Sequence, residues 1–126
     1  MNKKFATAIN CIDGRTQEPV INYIKNNFNI NYIDMITEPG PNRILAENAD
    51  IDTIESLKNK VKISIEKHSS ELIAIVGHYD CAANTVGDDI QKEQLKKAKS
   101  IVSSWGFDVE IIVLWLDENF KPNLVN

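Results

Sequence analysis

The sequence predicts an α/β fold in which helices flank a four-stranded parallel sheet, and three observations carry that reading. Four short segments are almost unbroken apolar runs, the pattern of strands covered on both faces. Between them lie longer stretches whose apolar residues recur at intervals of three and four, the period of an amphipathic helix. Glycine, proline and acidic residues punctuate the junctions. The resulting order, β-α-β-α-β-α-β, is met by parallel strands joined through right-handed crossovers. The chain has 126 residues, and 1–126 are expected to form a single domain. A chain of this size buries roughly two-thirds of the surface its unfolded form exposes, enough for an ordinary core.

Each element follows in turn from the residues. Phe5 to Ile12 is short, apolar and uncharged, a buried strand broken by Gly14. Thr16-Gln17-Glu18-Pro19 is a helix start, because Thr16 can cap and Pro19 suits an early helical position. Val20, Ile21, Ile24 and Phe28 then follow at helical spacing. Ile30 to Ile36 is the second strand. Glu38-Pro39-Gly40-Pro41-Asn42 has strong breaker chemistry and reads as a rigid loop. Ile51, Ile54, Leu57, Val61 and Ile65 make Asp50 to Lys67 an amphipathic helix. Leu72 to Val76 is the third strand, stopped by Gly77. Asp88 and Asp89 cap another helix, with Ile90, Leu95, Ala98, Ile101 and Val102 on its apolar face and Trp105-Gly106 at its end. Val109 to Leu116 is the fourth strand. It is too hydrophobic for a bare sheet edge, so Leu124-Val125, returning as a short antiparallel edge strand, or a second subunit must cover it.

Composition removes several function classes. With 43% apolar and 25% charged residues the chain is an ordinary soluble type, neither disordered nor fibrous. Fourteen basic against eighteen acidic residues leave a net charge of −4. Nucleic acid asks for a basic face, and Lys92, Lys96, Lys97 and Lys99 lie on a predicted helix surface without forming a basic stripe, so no nucleic-acid partner is expected. No stretch approaches the ~20 apolar residues of a membrane helix, so no membrane partner is expected either. Met1 to Ile9 loosely imitates an export leader, but its apolar part is short, contains Thr7 and ends at Asn10. A cytoplasmic location follows as the expectation. In that reducing compartment the two cysteines, Cys11 and Cys81, point to thiol or metal chemistry rather than to a structural disulfide.

Ligands of open parallel sheets bind beyond the carboxyl ends of the strands, and the chemistry-bearing residues fall there. The first strand ends in Cys11-Ile12-Asp13-Gly14-Arg15 and the third in Gly77-His78-Tyr79-Asp80-Cys81. In extended backbone Cys11, Asp13 and Arg15 share a side. His78 and Cys81, three apart, meet in a turn or a first helical turn. If the two strands are neighbours, two thiolates and one imidazole converge with a carboxylate beside them, a soft donor set that suits zinc. Three firm ligands with a variable fourth position is the layout of a catalytic site. A single Cys on a strand is ordinarily core, and a single H-x-x-C arises by chance. The coincidence of both at strand ends, beside His and Asp, carries the metal reading. A Cys11–Cys81 redox pair is the competing reading, though it lacks C-x-x-C spacing.

The two motifs together resemble those of the β-class carbonic anhydrases, which carry Cys-x-Asp-(Ser/Gly)-Arg after the first strand and His-x-x-Cys after the third. The resemblance implies Zn²⁺ held by Cys11, His78 and Cys81, with Asp13 as a possible fourth ligand, and a catalytic dyad of Asp13 and Arg15. Asp80 fits the family's frequent His-x-Asp-Cys form, Ala82 and Ala83 match its small residues, and Gly40-Pro41-Asn42 stands where it has a glycine–asparagine turn. The implied activity is that of a zinc lyase: reversible hydration of carbon dioxide to bicarbonate, in which zinc lowers the pKa of a bound water so that hydroxide attacks a small-molecule substrate. A homodimer or higher homo-oligomer is implied as well. Asp13 then either binds the metal or pairs with Arg15, whose fork matches a carboxylate bidentately.

The chain departs from the family in two respects. Gly14 stands where the family usually has Ser, so that hydroxyl's contacts are gone. The first strand begins about five residues in, so the N-terminal helical arm that wraps a partner and walls the active site is expected to be missing. A wetter site weakens hydrogen bonds to the reacting group. A non-catalytic zinc-binding or regulatory role, and hydrolysis of carbonyl sulfide or carbon disulfide, therefore stand as alternatives. His68, at a helix end where a cation suits the dipole, Trp105, Trp115 and Phe107 read as structural. Tyr79 packs on the site or faces outward, and Arg43 is a surface charge or lines the site mouth. Two thiolates and a neutral imidazole leave Zn²⁺ formally neutral, so its water is less acidic than on three imidazoles. A carbon dioxide hydration rate is therefore expected to rise toward alkaline pH, and stopped-flow rates flat from acid to alkaline pH would contradict this.

Overall fold

The apolar runs do assemble side by side, in a five-stranded sheet whose strands, from one edge to the other, begin at Tyr32, Phe5, Leu72, Glu110 and Pro122. The computed structural model describes residues 3–125; Met1 and Asn2, which open the leader-like stretch, lie outside them. The strands are β1 (Phe5–Asn10), β2 (Tyr32–Thr37), β3 (Leu72–His78), β4 (Glu110–Leu116) and β5 (Pro122–Leu124), and the helices are α1 (Gln17–Phe28), α2 (Pro41–Glu47), α3 (Ile51–His68) and α4 (Asp88–Ser103). The first four strands pair in parallel and β5 runs antiparallel against β4. Val125 extends this cover by donating its amide to the Val113 carbonyl, so the apolar fourth strand is shielded by the chain's own return.

Apolar packing on the two faces explains the layers. Val20 and Ile24 of α1 pack with Ala6, Ala8, Ala74, Val76 and Leu114 on one face. Leu45, Leu57, Val61, Leu95 and Val102 of the other three helices pack with Ile9, Ile73, Ile75 and Val113 on the opposite face. Trp115 is buried in that second core, with Trp105 and Phe107 packed against it. Among the described residues no helix is long and apolar enough to cross a membrane.

Several elements differ from expectation for identifiable reasons. The breaker segment Glu38-Pro39-Gly40-Pro41-Asn42 is not all loop: Gly40, at φ +60°, caps α2 and Pro41 starts it, because proline has the φ of a first helical residue and needs no amide partner there. Gly77 does not stop β3 but pairs with Trp115 inside it. A side chain there would meet Asn42 Nδ2 at 2.9 Å and Leu95 Cδ1 at 3.3 Å, so the glycine admits a close crossing of α2 and α4. Gly87 is the cap of α4, and Asp88 and Asp89 lie in its first turn, where acidic charge suits the dipole. The face of α4 is rotated, leaving Ile90 exposed and burying Gln91. β1 ends at Asn10, so Cys11 and Ile12 belong to the loop after it.

The strand order fixes where a ligand can sit. From β1 the chain moves outward to β2, and from β3 it moves the other way to β4. The crevice at the carboxyl ends of β1 and β3 is the switch point at which open α/β sheets bind ligands. Gly77→Ala is expected to destabilise the fold by about 1–3 kcal/mol, since Asn42 is buried and cannot swing away. Gly87→Ser, in open space, is expected to be neutral or stabilising by a few tenths of a kcal/mol. Thermal melts of the two variants check both, and equal melting temperatures would contradict the crossing argument.

Candidate metal centre

The switch point brings three of the sequence-nominated side chains to one place. Cys11, His78 and Cys81 are all buried, and their ligand atoms lie within 4.8 Å of one another. The two Sγ atoms are 3.9 Å apart. A disulfide needs about 2.05 Å, whereas two thiolates on one tetrahedral zinc, each bonded at ~2.3 Å, stand about 3.8 Å apart. His78 Nδ1 lies 2.7 Å from the Tyr79 carbonyl. A carbonyl only accepts, so Nδ1 carries the proton and Nε2 presents its lone pair. That Nε2 is buried with no hydrogen-bond partner. An unmet buried polar atom costs roughly 1–3 kcal/mol, and a metal ion held with the two sulfurs would satisfy it. The donor set and its spacing fit Zn²⁺.

The electrostatics of the cluster favour a thiolate at Cys11. Burial opposes ionisation, but the His78 ring and the backbone at Gly40 and Asp13 outweigh it and bring the thiol down to about 7. His78 is raised despite burial, chiefly by Cys11. Cys81 is pushed up, first by burial, with the nearby Cys11 adding to the shift.

Two networks hold the ligand loops. In the first, Gln17 Nε2 donates to the Cys11 carbonyl at 2.8 Å and to the Asp13 carbonyl at 3.0 Å. Thr16, expected as a side-chain cap of α1, makes no cap bond; its hydroxyl donates to the Asp13 carbonyl at 2.7 Å. In the second, buried Gln91 donates to the carbonyls of His78 and Asn84, both at 3.2 Å, and accepts from Asn42 Nδ2 at 3.2 Å. It thereby ties α2 and α4 to the end of β3, which carries His78, and to the loop beyond it, which carries Cys81. Sequence reading passed over Gln91, although it stands in phase with Leu95, Ala98 and Val102, the buried face of α4.

Asp13 and Arg15 are paired. Arg15 Nη2 reaches Asp13 Oδ2 at 2.7 Å, and Nε lies 3.1 and 3.2 Å from the two carboxylate oxygens. This guanidinium holds the Asp13 carboxyl at about 2, so Asp13 is ionised at any ordinary pH. Arg15 also donates to the Asp80 carboxylate at 3.3 Å and the Asp80 carbonyl at 3.2 Å. Asp13 lines a cavity of about 180 Å³ with Cys11, Ile12, Pro39, Ala82 and Ala83.

The remaining nominated residues lie off this cavity. Tyr79 is half exposed and faces outward. Arg43 pairs with Glu47 and donates to the Ala83 carbonyl at 3.1 Å, bracing the loop from behind. His68 ends α3, with Nδ1 2.7 Å from Asp34 Oδ2 and its ring stacked on Phe5, which ties the helix end to β1 and β2.

Comparisons with known proteins agree with this architecture. A β-carbonic anhydrase of Trichomonas vaginalis (isoform I) superposes with a TM-score of 0.60 at 16% identity, over 94% of this chain and 81% of that one. The apo form of a carbon disulfide hydrolase superposes with a TM-score of 0.51 at 12% identity, over 99% of this chain and 79% of that one. At these identities the likeness is one of fold. No curated protein is significantly similar in sequence. The model of a family described as "Putative carbonic anhydrase" matches residues 1–126. Because that match runs the whole length of the chain, the protein belongs to this carbonic anhydrase family.

Proposed function

We propose that the protein is a zinc-dependent hydro-lyase that interconverts carbon dioxide and bicarbonate, with Cys11, His78 and Cys81 as the ligands of Zn²⁺. The observation that carries the reading is the buried, unpartnered Nε2 of His78 beside two sulfurs 3.9 Å apart. Bound zinc would supply a Lewis acid that lowers the pKa of water and so makes it a better nucleophile. The chain's own residues do the rest. Asp13, kept ionised by Arg15, accepts a hydrogen bond from the attacking water and orients it. Arg15 keeps that carboxylate in place. Ile12, Pro39, Ala82 and Ala83 give the cavity an apolar wall, suited to a small uncharged substrate and poor at retaining water. The same wall favours a second reading, hydrolysis of carbon disulfide or carbonyl sulfide, which are likewise linear and uncharged though somewhat larger.

A homodimer and a cytoplasmic site of action belong to the same proposal. The outer edge of β2 has no paired strand among the described residues, and Tyr32 at its start is half exposed. Unpaired strand edges invite pairing with another chain. A reducing cytoplasm would keep Cys11 and Cys81 available as thiols.

Elemental analysis of the purified protein is expected to find one zinc per chain. Cys81→Ser is expected to weaken zinc binding at least ~100-fold, beyond the usual effect of removing an outer-sphere partner. Stopped-flow assays of the zinc-loaded protein are expected to register carbon dioxide hydration that Cys81→Ser abolishes. Hydrolysis of carbon disulfide without carbon dioxide hydration would select the second reading. Zinc binding with neither activity would leave a non-catalytic zinc protein. Light scattering is expected to give twice the chain mass, and a monomer at micromolar concentration would contradict the dimer.

A further inference from the structure

Arg15 is held from more sides than a carboxylate clamp requires. Besides its bonds to Asp13, its guanidinium carbon sits 4.6 Å from the centre of the Phe120 ring, within cation–π range. It also reaches the Asp80 carboxylate and carbonyl, at 3.3 and 3.2 Å. The groups come from separate loops. Phe120 stands in the β4–β5 turn, where Asp117 accepts the amides of Asn119 and Lys121 and where the Phe120 backbone is left-handed at φ +57°. Asp80 lies between the ligands His78 and Cys81, also left-handed at φ +59°. The Phe120 ring leans on His78 as well, 5.9 Å centre to centre. Nothing in the β4–β5 turn lines the cavity itself, so the ring acts on the site through Arg15 and His78.

Asp13 has two possible partners. It lines the same cavity as Cys11, and a carboxylate is an ordinary zinc ligand, so whatever holds Arg15 against it also decides whether it is free to turn to the metal. We propose that Phe120 and Asp80 are positioning residues for Arg15, locking it onto Asp13 so that Asp13 stays off the metal and the fourth coordination position remains open to an exogenous ligand. The proposal rests on the metal reading above. It assigns the β4–β5 turn, which carries no metal ligand, a part in keeping the site open.

The test uses the full chain loaded with Co²⁺, whose visible absorption reports coordination, titrated with azide as a probe of the open position. Phe120→Leu keeps apolar bulk and removes the π face, Phe120→Tyr keeps the face, and Asp80→Asn removes the charge with a residue that tolerates the left-handed backbone. In the wild type azide is expected to perturb the spectrum. Phe120→Leu and Asp80→Asn are each expected to bind azide roughly three- to tenfold more weakly, in keeping with one lost cation–π or charged contact. Phe120→Tyr is expected to bind as the wild type does. Adding Asp13→Asn to Phe120→Leu is expected to restore azide binding, an effect that loss of packing alone would not give. Stoichiometric cobalt with unchanged azide affinity in both Phe120→Leu and Asp80→Asn overturns the lock and leaves the metal reading standing. Failure of the wild type to bind cobalt overturns both.

Discussion

The site depends on one constraint: β1 and β3 must lie side by side in parallel, so that their carboxyl ends deliver Cys11 and His78 to the same crevice. The strands are distant in sequence yet register directly, with Thr7, Ala8 and Ile9 opposite Ile73, Ala74 and Ile75. That pairing is enforced by burial on both faces, since every residue of β3 and nearly all of β1 is buried. A slip of one residue would send each side chain to the opposite face and carry His78 away from Cys11. The hydrophobic core thus sets the register, and the register sets the donor spacing.

Once the strands are fixed, polar groups finish the site. Gln17 and Thr16 hold the first loop by its carbonyls, and Gln91 with Asn42 holds the second. Each is a case of buried backbone polarity that must be satisfied, and in satisfying it the chain fixes the ligand loops. The His78–Tyr79 contact completes the set by choosing the tautomer. The buried ring nitrogen left unmatched lies beside the two sulfurs, which is why the centre reads as a metal site rather than as ordinary core.

Much of this was legible in the sequence, and the limits have physical causes. The four parallel strands and the three long helices follow from periodicity because burial on one or both faces imposes it. The residues of the centre were legible because Cys and His at two strand ends have few other reasons to coincide. α2 was hidden in a segment dense in breakers, where Gly40 and Pro41 open a helix as readily as they end one. Gly77 looked like a stop because sequence does not reveal that Asn42 crosses there. Phe120 and Gln91 were missed because their roles come from long-range contacts. An aromatic in a polar turn and a glutamine on an apolar helix face acquire meaning only once their neighbours are known.

X-ray absorption at the zinc edge of the zinc-loaded chain reads directly which atoms surround the metal. Two sulfur neighbours at ~2.3 Å and nitrogen or oxygen neighbours at ~2.0–2.1 Å, four in all, are expected. A shell of nitrogen and oxygen alone, or only one sulfur, would mean that Cys11 and Cys81 do not share an ion and that the centre is not a Cys-His-Cys metal site.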